Sequence, residues 1–247
     1  ELGNTGNGVQ IVNSAHDNTI GGATASTRNV ISGNGQNGVL IWTAGADYNV
    51  VSGNYIGTNE SGTAAAANAQ NGVYLNTGAQ NNTIGGDSVG DRNLISGNGF
   101  YGVHVASPNN VVSGNYIGTH VSGVSAISNQ YGMGINNSNG NTVGGSGLAE
   151  GNLISGNNIG GVMIFGASAT GNDILGNLIG VDSSGDVSLG NGTYGISVAG
   201  GANNNTIGGA GSYEGNQIAG HTTGVYLTGS GTDANIVFGN YIGTNGA

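Results

Sequence analysis

The chain has 247 residues, and its net charge of −10 comes from twelve acidic residues against two arginines. This balance excludes nucleic acid and anionic membrane surfaces as partners, because both need clustered Lys or Arg. The absence of cysteine excludes disulfides and thiolate metal sites, and no apolar run approaches the ~18 residues of a membrane span.

Glycine and asparagine dominate the composition, with 54 and 38 residues, but no strict Gly-X-Y period indicates collagen. The first element in chain order is a phrase of Gly, apolar, any residue, apolar, which recurs at intervals of 29–34 residues. Its apolar residues alternate with period 2, which predicts a short strand, and Gly, Asn and Ser turns follow. The eight copies are GVQI at Gly8, GVLI at Gly38, GVYL at Gly72, GVHV at Gly102, GMGI at Gly132, GVMI at Gly161, GISV at Gly195 and GVYL at Gly224.

The segments that follow these strands alternate between two types. Odd copies are followed by NTIGG or NTVGG and then by a phrase such as NLISGN, whereas even copies are followed by NVVSGNYIGT or a variant of it. The full repeat is therefore a pair of about 62 residues that occurs four times. About three short strands and three turns in ~30 residues, with no helical period, are typical of one coil of a β-solenoid.

We therefore predict an all-β fold: a right-handed, single-stranded parallel β-helix of about eight coils, formed as one domain over residues 1–247. Coils stack ~4.8 Å apart, so each residue lies above its counterpart in the next coil. The sequence ends within a phrase that continues elsewhere. We therefore expect a segment of a longer chain, whose neighbouring β-helix repeats would cover the open strand edges.

Stacking also explains the asparagines. An amide both donates and accepts, so identical Asn residues can hydrogen-bond along a column in which like charges would repel. Glycine beside each one supplies the positive φ of a tight corner. We predict that the Asn of each SGN phrase forms a structural ladder, with members Asn34, Asn54, Asn98, Asn115 and Asn157.

The combined pattern GVxI, NTIGG, RNLISGN, GVxV and NNVVSGNYIGT resembles the parallel β-helix repeats of large bacterial surface and secreted proteins. The resemblance covers essentially the whole chain and implies the pectate-lyase-like fold, which is shared by pectate lyases, polygalacturonases, alginate epimerases and phage tailspikes. Enzymes of this fold act on polysaccharides, usually along one outer sheet. Alginate epimerases carry a Tyr-Gly-x-Asp phrase followed by His, and FYGVHV at Phe100 has the Tyr, Gly and His without the Asp.

The outward positions of the GVxI strands hold few groups suited to catalysis. His104 is the one acid or base there, with Tyr74 as its expected stacked neighbour, and these two are the catalytic candidates. Glycoside hydrolysis ordinarily needs two carboxylates, which these positions do not provide. Aromatic and large apolar side chains on a sheet surface suit sugar stacking or protein contact, although scattered exposed apolar residues are also normal. The predicted binding face comprises Leu40, Trp42, Tyr74, His104, Met163, Phe165 and Tyr226.

Three further patterns lie in turns. Asp87 with Asp91, and Asp182 with Asp186, are candidate Ca²⁺ ligands, although simple solvated turns are the more common explanation of such a pattern. Arg28 and Arg92 precede the same phrase in alternate repeats, which predicts a structural pairing across a loop. The threonines of the IGT phrases recur in alternate coils and suggest an ice-binding array; they are Thr58, Thr119 and Thr244.

The lack of catalytic groups and the resemblance to surface and secreted repeat proteins together imply a non-catalytic, extracellular or cell-surface β-helix that serves as a stalk or adhesin-like module. Its partner would be a polysaccharide or a surface protein on the aromatic face, and no cofactor is expected apart from the candidate Ca²⁺. The first alternative is a polysaccharide-active enzyme, a uronate lyase or C5-epimerase, with His104 and Tyr74 at its centre. The second is an ice-binding solenoid.

Overall fold

The computed structural model describes residues 2–244, which form 24 short β-strands, two single-turn 3₁₀ helices and no α-helix. The strands make three sheets of eight, and every pairing between named strands is parallel. Each coil contributes one strand to each sheet. The predicted all-β solenoid of about eight coils is confirmed, and no helix of the described residues could span a membrane.

Strands are numbered in chain order, and successive strands belong to sheets 1, 2 and 3 in turn. Sheet 1 contains β1 (Val9–Ile11), β4 (Val39–Ile41), β7 (Val73–Leu75), β10 (Tyr101–Val105), β13 (Tyr131–Asn136), β16 (Gly160–Phe165), β19 (Tyr194–Ala199) and β22 (Thr223–Thr228). Sheet 2 contains β2 (Thr19–Gly21), β5 (Val50–Ser52), β8 (Thr83–Gly85), β11 (Val111–Ser113), β14 (Thr142–Gly144), β17 (Asp173–Leu175), β20 (Thr206–Ile207) and β23 (Ile236–Val237). Sheet 3 contains β3 (Val30–Ile31), β6 (Tyr55–Ile56), β9 (Leu94–Ile95), β12 (Tyr116–Ile117), β15 (Leu153–Ile154), β18 (Leu178–Ile179), β21 (Gln217–Ile218) and β24 (Tyr241–Ile242).

The hydrophobic core runs along the axis between the three sheets. Its members are the inward-facing Val, Ile and Leu of successive coils, and they superimpose in columns because the strands pair in register. Val73 and Val103 are 0% exposed and Val162 is 2% exposed, so the apolar residues of the GVxI phrases point inward as their alternation predicts.

Alternate coils differ outside the sheets, which explains the two-coil repeat. In two odd coils a 3₁₀ turn, Ala25–Thr27 or Val89–Asp91, lies between sheets 2 and 3. In three even coils a small antiparallel excursion follows sheet 3, closed by the bridges Thr58–Ala65, Thr119–Ala126 and Val181–Ser188. These excursions project from the rod while the sheets beneath them continue unchanged.

Asparagine forms a ladder at each of the three corners, rather than the single column expected from the SGN phrases. In these three ladders the side-chain Nδ2 donates to Oδ1 of the Asn one coil further along the chain, whereas a short column of Asn7, Asn37 and Asn71 before sheet 1 donates in the opposite direction. The ladder between sheets 2 and 3, at 2.8–3.2 Å, comprises Asn29, Asn54, Asn93, Asn115, Asn152, Asn177, Asn216 and Asn240. The ladder between sheets 3 and 1 comprises Asn4, Asn34, Asn68, Asn98, Asn129, Asn157 and Asn191. The ladder between sheets 1 and 2 comprises Asn18, Asn49, Asn82, Asn110, Asn141, Asn172, Asn205 and Asn235.

The five predicted Asn residues thus belong to two different corners. Asn54 and Asn115 lie between sheets 2 and 3, whereas Asn34, Asn98 and Asn157 lie between sheets 3 and 1. Both corners use the same SGN letters because both need the same geometry. The Gly turns the chain at φ of 70–76°, and the following Asn then enters a ladder; these glycines are Gly33, Gly53, Gly97, Gly114 and Gly156.

We expect Asn93→Ala to lower the free energy of unfolding by about 1–3 kcal/mol, because it leaves buried donors and acceptors without partners. Asn93 is 0% exposed. It accepts from the backbone and side chain of Asn54, and it donates to the Val51 carbonyl and to Asn115. Urea unfolding followed by circular dichroism measures the change.

The matched control is Asn18→Ala, because Asn18 is exposed and forms the first rung of another ladder. Its loss should move the urea midpoint much less than the loss of Asn93. Equal losses at the two positions would contradict a stabilising role for the buried rungs.

Candidate functional site

The outer face of sheet 1 carries a continuous stack of aromatic rings. The parallel register pairs Tyr74 with His104, and their rings stack with centroids 4.5 Å apart and planes 2° apart. This contact is the one expected from the spacing of the GVxI phrases. One coil separation is about the distance at which flat rings stack, so in-register strands favour it.

Three further rings extend the stack. Tyr101 lies 4.7 Å from His104 and 5.1 Å from Tyr131, and Phe100 meets both tyrosines edge-on. The Tyr101 ring lies across Gly134, where an added Cβ would be only 2.7 Å from a ring carbon. Gly134 interrupts the outward column and so makes room for this ring. We call the five residues Tyr74, Phe100, Tyr101, His104 and Tyr131 the aromatic stack.

His104 is held in its neutral form inside this stack. Burial lowers the pKa of His104 from 6.5 to about 4, because the protonated imidazolium is poorly solvated there. Its Nε2 atom is buried and has no hydrogen-bond partner among the residues that the structure describes. Burial also raises the pKa of the Tyr74 and Tyr101 hydroxyls, so both remain protonated near neutral pH. The stack therefore presents uncharged rings.

Tyr101, Tyr131 and Tyr194 share one register position in sheet 1, and Gly160 interrupts this column of tyrosines beyond the stack. Gly160 pairs with Tyr131 on one side and with Tyr194 on the other, so the position directly between the two tyrosines carries no side chain. The result is a small cavity of about 120 Å³, lined chiefly by Tyr131, Tyr194, Val162, Met163 and Ser197. We call it the ring notch. The two tyrosines are two coils apart, about 9.6 Å along the axis, which leaves room for one flat ring between them.

Residues of the predicted binding face take different positions around these features. Tyr74 and His104 belong to the stack, Met163 lies in the notch, and Tyr226 stacks on Tyr194 at 4.7 Å. Leu40 is only 9% exposed and offers little surface. Trp42 and Phe165 are 44% and 45% exposed at the margin of the face.

Sequence reasoning missed Phe100, Tyr101, Tyr131 and Tyr194, which complete the stack and form both walls of the notch. Tyr101 itself is only 2% exposed, so the accessible ring surface comes from the other rings. The outward columns were counted from the Gly of each GVxI phrase, whereas these tyrosines stand immediately before that Gly. The signal was the dipeptide Tyr-Gly at three of the eight phrases. Strict alternation assigns the residue before this Gly to the interior of the solenoid. The tyrosine rings lie on the outer face instead, and Gly134 makes room there for the ring of Tyr101.

One carboxylate in each acidic turn accepts a hydrogen bond from a serine of the same turn. Ser88 donates to the Asp91 carboxylate, and the Ser184 hydroxyl donates to Asp182 at 2.6 Å. The Ser184 bond is the main reason that the pKa of Asp182 lies below its usual value. Asp87 and Asp186 lie in the same respective turns. Among residues 2–244 no group of three or more potential metal ligands occurs, so Ca²⁺ binding stays a prediction.

Of the three threonines proposed for an ice-binding array, Thr244 alone is exposed. Thr58 and Thr119 are both 0% exposed, because the antiparallel excursions of the even coils cover them. Val181, which occupies the corresponding place two coils later, is 3% exposed. An array that must contact ice needs exposed side chains, and this alternative therefore loses its structural basis.

The chain matches no family model, and no curated protein matches it in sequence. Two solved structures are similar in fold. The A-module of the Azotobacter vinelandii mannuronan C-5 epimerase AlgE4 aligns over 95% of this chain and 55% of its own length, with a TM-score of 0.60 and 17% identity. The AlgE6 A-module from the same organism covers 88% of this chain and 55% of its own length, with a TM-score of 0.46 and 19% identity. The chain thus spans about half the length of each of these structures, and the likeness to the AlgE4 module shows a parallel β-helix fold.

We expect the stability of the protein to fall as the pH drops from about 6.5 towards 4. The folded state keeps His104 neutral, with a pKa of about 4, whereas the unfolded chain takes up a proton near 6.5. The stabilisation is therefore complete above pH 6.5 and is lost as the pH falls through the window between the two values. His221, whose pKa is also lowered to about 4 by burial, acts in the same direction.

Replacing His104 with Gln should reduce the difference between the melting temperatures at pH 7 and pH 4.5, as measured by circular dichroism. The control is His16→Gln, because His16 is exposed. That variant should keep the pH dependence of the parent protein. If His104→Gln keeps it too, burial of this imidazole does not control the acid sensitivity.

Proposed function

We propose that the outer face of sheet 1 binds a polysaccharide, with one sugar ring held in the ring notch between Tyr131 and Tyr194. The observation that carries the proposal is the missing side chain at Gly160. This residue pairs with Tyr131 in the coil before it and with Tyr194 in the coil after it, and a cavity lies between the two tyrosines. A pyranose has apolar C–H faces and polar edges, so it suits an aromatic wall on each side and solvent at its rim.

The wall of the notch has the required stiffness. Tyr194 is supported by its stacked neighbour Tyr226, and Tyr131 is supported by Tyr101 and by the edge of Phe100. Rings fixed before binding lose little conformational entropy when a ligand arrives. Ser197 supplies a hydroxyl at the edge of the notch, where a sugar hydroxyl would lie. The site therefore combines apolar walls with a small number of polar groups.

The fold similarity supports the ligand class at the level of a proposal, since the similar structures are modules of enzymes that act on mannuronan. The charge of this face favours a polysaccharide of a different kind. Neither the stack nor the notch contains Lys or Arg, and the net charge of −10 repels a densely anionic polymer. A neutral or sparsely charged glycan suits sheet 1 best. The proposal retains the expectation of an extracellular, rod-shaped binding module.

A second candidate function is catalysis on a uronate polymer, as a lyase or C5-epimerase. The observation that favours it is the neutral imidazole of His104, which lies between Tyr74 and Tyr101 and whose Nε2 carries no hydrogen bond within the described residues. A base of this kind would take the proton from C5 of the sugar. In an epimerase a tyrosine hydroxyl would then donate a proton to the opposite face of C5, and in a lyase it would protonate the oxygen that leaves C4 as the C4–C5 double bond forms. A pKa of about 4 makes His104 a weak base, and Nε2 would have to become accessible for the transfer.

We expect Tyr194→Ala and Tyr131→Ala each to weaken glycan binding by about tenfold or more, because each removes one wall of the notch. Affinity gel electrophoresis against a panel of neutral polysaccharides identifies the ligand. Isothermal titration calorimetry with an oligosaccharide of that ligand then gives the affinity of each variant.

The control is Tyr213→Ala, because Tyr213 is 51% exposed in a turn between sheets 2 and 3, away from the notch. It should bind as the parent protein does. Unchanged binding by both notch variants, with their circular dichroism spectra intact, would rule out the notch as the sugar site.

Turnover separates binding from catalysis. The purified protein is incubated with alginate, polygalacturonate and pectin in the presence of Ca²⁺. Unsaturated products are followed by ultraviolet absorbance and epimerisation by NMR. A binding module gives no product with any of the polymers. Product formation that His104→Ala abolishes, while Tyr213→Ala retains it, would establish the enzyme in place of the binding module.

A further inference from the structure

Both arginines of the chain lie in one groove on the outer surface of sheet 3. Arg28 and Arg92 are the entire basic complement of a protein with twelve acidic residues. They precede equivalent ladder residues in alternate coils, and they line a groove of about 170 Å³ together with Tyr55, Tyr116 and Leu94. We call it the arginine groove. It is on a different sheet from the ring notch.

Neither arginine is neutralised by a carboxylate among residues 2–244, where the one ion pair joins His16 and Asp17. In place of the predicted pairing across a loop, each arginine stacks on a tyrosine in the sheet 3 strand of the next coil. The guanidinium carbon of Arg28 lies 4.1 Å from the centroid of Tyr55, and that of Arg92 lies 4.0 Å from the centroid of Tyr116. With many acids available elsewhere on the chain, both cations are held on ring faces in the same groove.

Each guanidinium is also oriented by one backbone contact. Nε of Arg28 donates to the Gly53 carbonyl at 3.2 Å, and Nε of Arg92 donates to the Gly114 carbonyl at 3.4 Å. Their terminal NH₂ groups make no hydrogen bond with any residue that the structure describes. An arginine has five N–H donors in a planar fork that matches an oxyanion. Ring stacking and the Nε contact therefore hold each fork in place and leave its outer donors free.

The two forks repeat at a fixed spacing. The column runs Arg28, Tyr55, Arg92 and Tyr116 over four successive coils, so the arginines are two coils apart, about 10 Å along the axis. In the next odd coil Gly151 takes the place of the arginine and in the next even coil Leu178 takes the place of the tyrosine. The column is therefore confined to the first half of the rod. Two donors at this separation suit two anionic groups on one extended molecule.

We propose that the arginine groove is a second binding site, which holds two oxyanion groups, carboxylate or sulfate, carried about two coils apart on one linear ligand. Each guanidinium binds one oxyanion through its terminal N–H groups. Tyr55 and Tyr116, with Val89 and Val121 at the groove walls, contact the apolar parts of the ligand. The acidic surface elsewhere repels a dense polyanion, so the site selects a ligand whose charges are widely spaced.

The chain offers an unusually direct test because it has two arginines and no lysine. In a ¹H–¹⁵N spectrum the two Arg Nε–H groups give two side-chain signals, which the single variants Arg28→Gln and Arg92→Gln assign. We expect both signals to shift on titration with a carboxylate-bearing or sulfate-bearing oligosaccharide. A neutral oligosaccharide of equal length should leave them in place, and an equal response to it would overturn the role of charge.

A third titration, with inorganic sulfate, distinguishes oxyanions carried on one linear ligand from free anions. The linear ligand should bind at least tenfold more tightly than inorganic sulfate, because it engages both forks at once. Equal affinities would mean that each arginine binds a free anion independently, and the linear ligand would be rejected. Two Arg signals that stay unmoved by every anionic probe would overturn the site itself.

The double variant Arg28→Gln/Arg92→Gln should lose binding of the anionic oligosaccharide by more than tenfold, although it also makes the net charge more negative by two units. The matched control is Gln36→Glu/Gln130→Glu, which makes the same change in net charge at exposed positions before sheet 1. The control should bind within about threefold of the parent. A loss as large as that of the arginine variant would assign the effect to overall charge and reject the groove.

The arginine groove is independent of the ring notch, so experiment can reject either site without rejecting the other. Tyr194→Ala should leave the Arg signals and the anion titration unchanged, whereas Arg92→Gln should leave binding of a neutral glycan to sheet 1 unchanged. Arg28→Lys and Arg92→Lys keep the charge but not the planar fork, and each should bind the anionic ligand less tightly than the parent. Full binding by the lysine variants would reduce the site to a simple charge attraction and contradict the oriented fork.

Discussion

The structure depends on vertical register: like residues of successive coils lie directly above one another in every sheet and at every corner. At the corners this register is enforced by asparagine, whose side chain donates to the next coil while its own carbonyl accepts from the previous one. A shift of one residue would break three ladders at once and turn the Val and Ile side chains outward. Register is therefore specified by buried polar bonds as well as by the apolar core.

The same register determines where ligands could bind. On a rod whose coils are nearly identical, a distinctive site arises where one coil departs from its neighbours. Gly134 lets the Tyr101 ring lie over the sheet, and Gly160 leaves the level between two tyrosines open. At both positions a glycine leaves the column without a side chain, and no reactive group is added. This is why the face offers shape and aromatic surface but few groups that could move a proton.

Charge divides the surface in a comparable way. Most of the acidic residues lie in turns, and those at Asp91 and Asp182 accept hydrogen bonds from serines of their own turns. The two cations are gathered on sheet 3, each stacked on a tyrosine. Sheets 1 and 3 therefore present different chemistry to solvent: uncharged rings on one and paired guanidinium groups on the other. A rod of this kind could hold a neutral chain and an acidic one along different faces.

The sequence by itself determined the solenoid, the number of coils and the inward Val and Ile columns, because stacking forces each coil to repeat the same letters at the same places. It also determined the contact between Tyr74 and His104, since both stand at the same position of neighbouring phrases. The tertiary structure alone decided which corner each Asn occupies, because two corners use identical SGN letters. It also decided the burial of Thr58, the outward placement of Tyr101 and the notch at Gly160. These depend on how a side chain from one coil crosses into the space of another, and a period read along the chain does not contain that information.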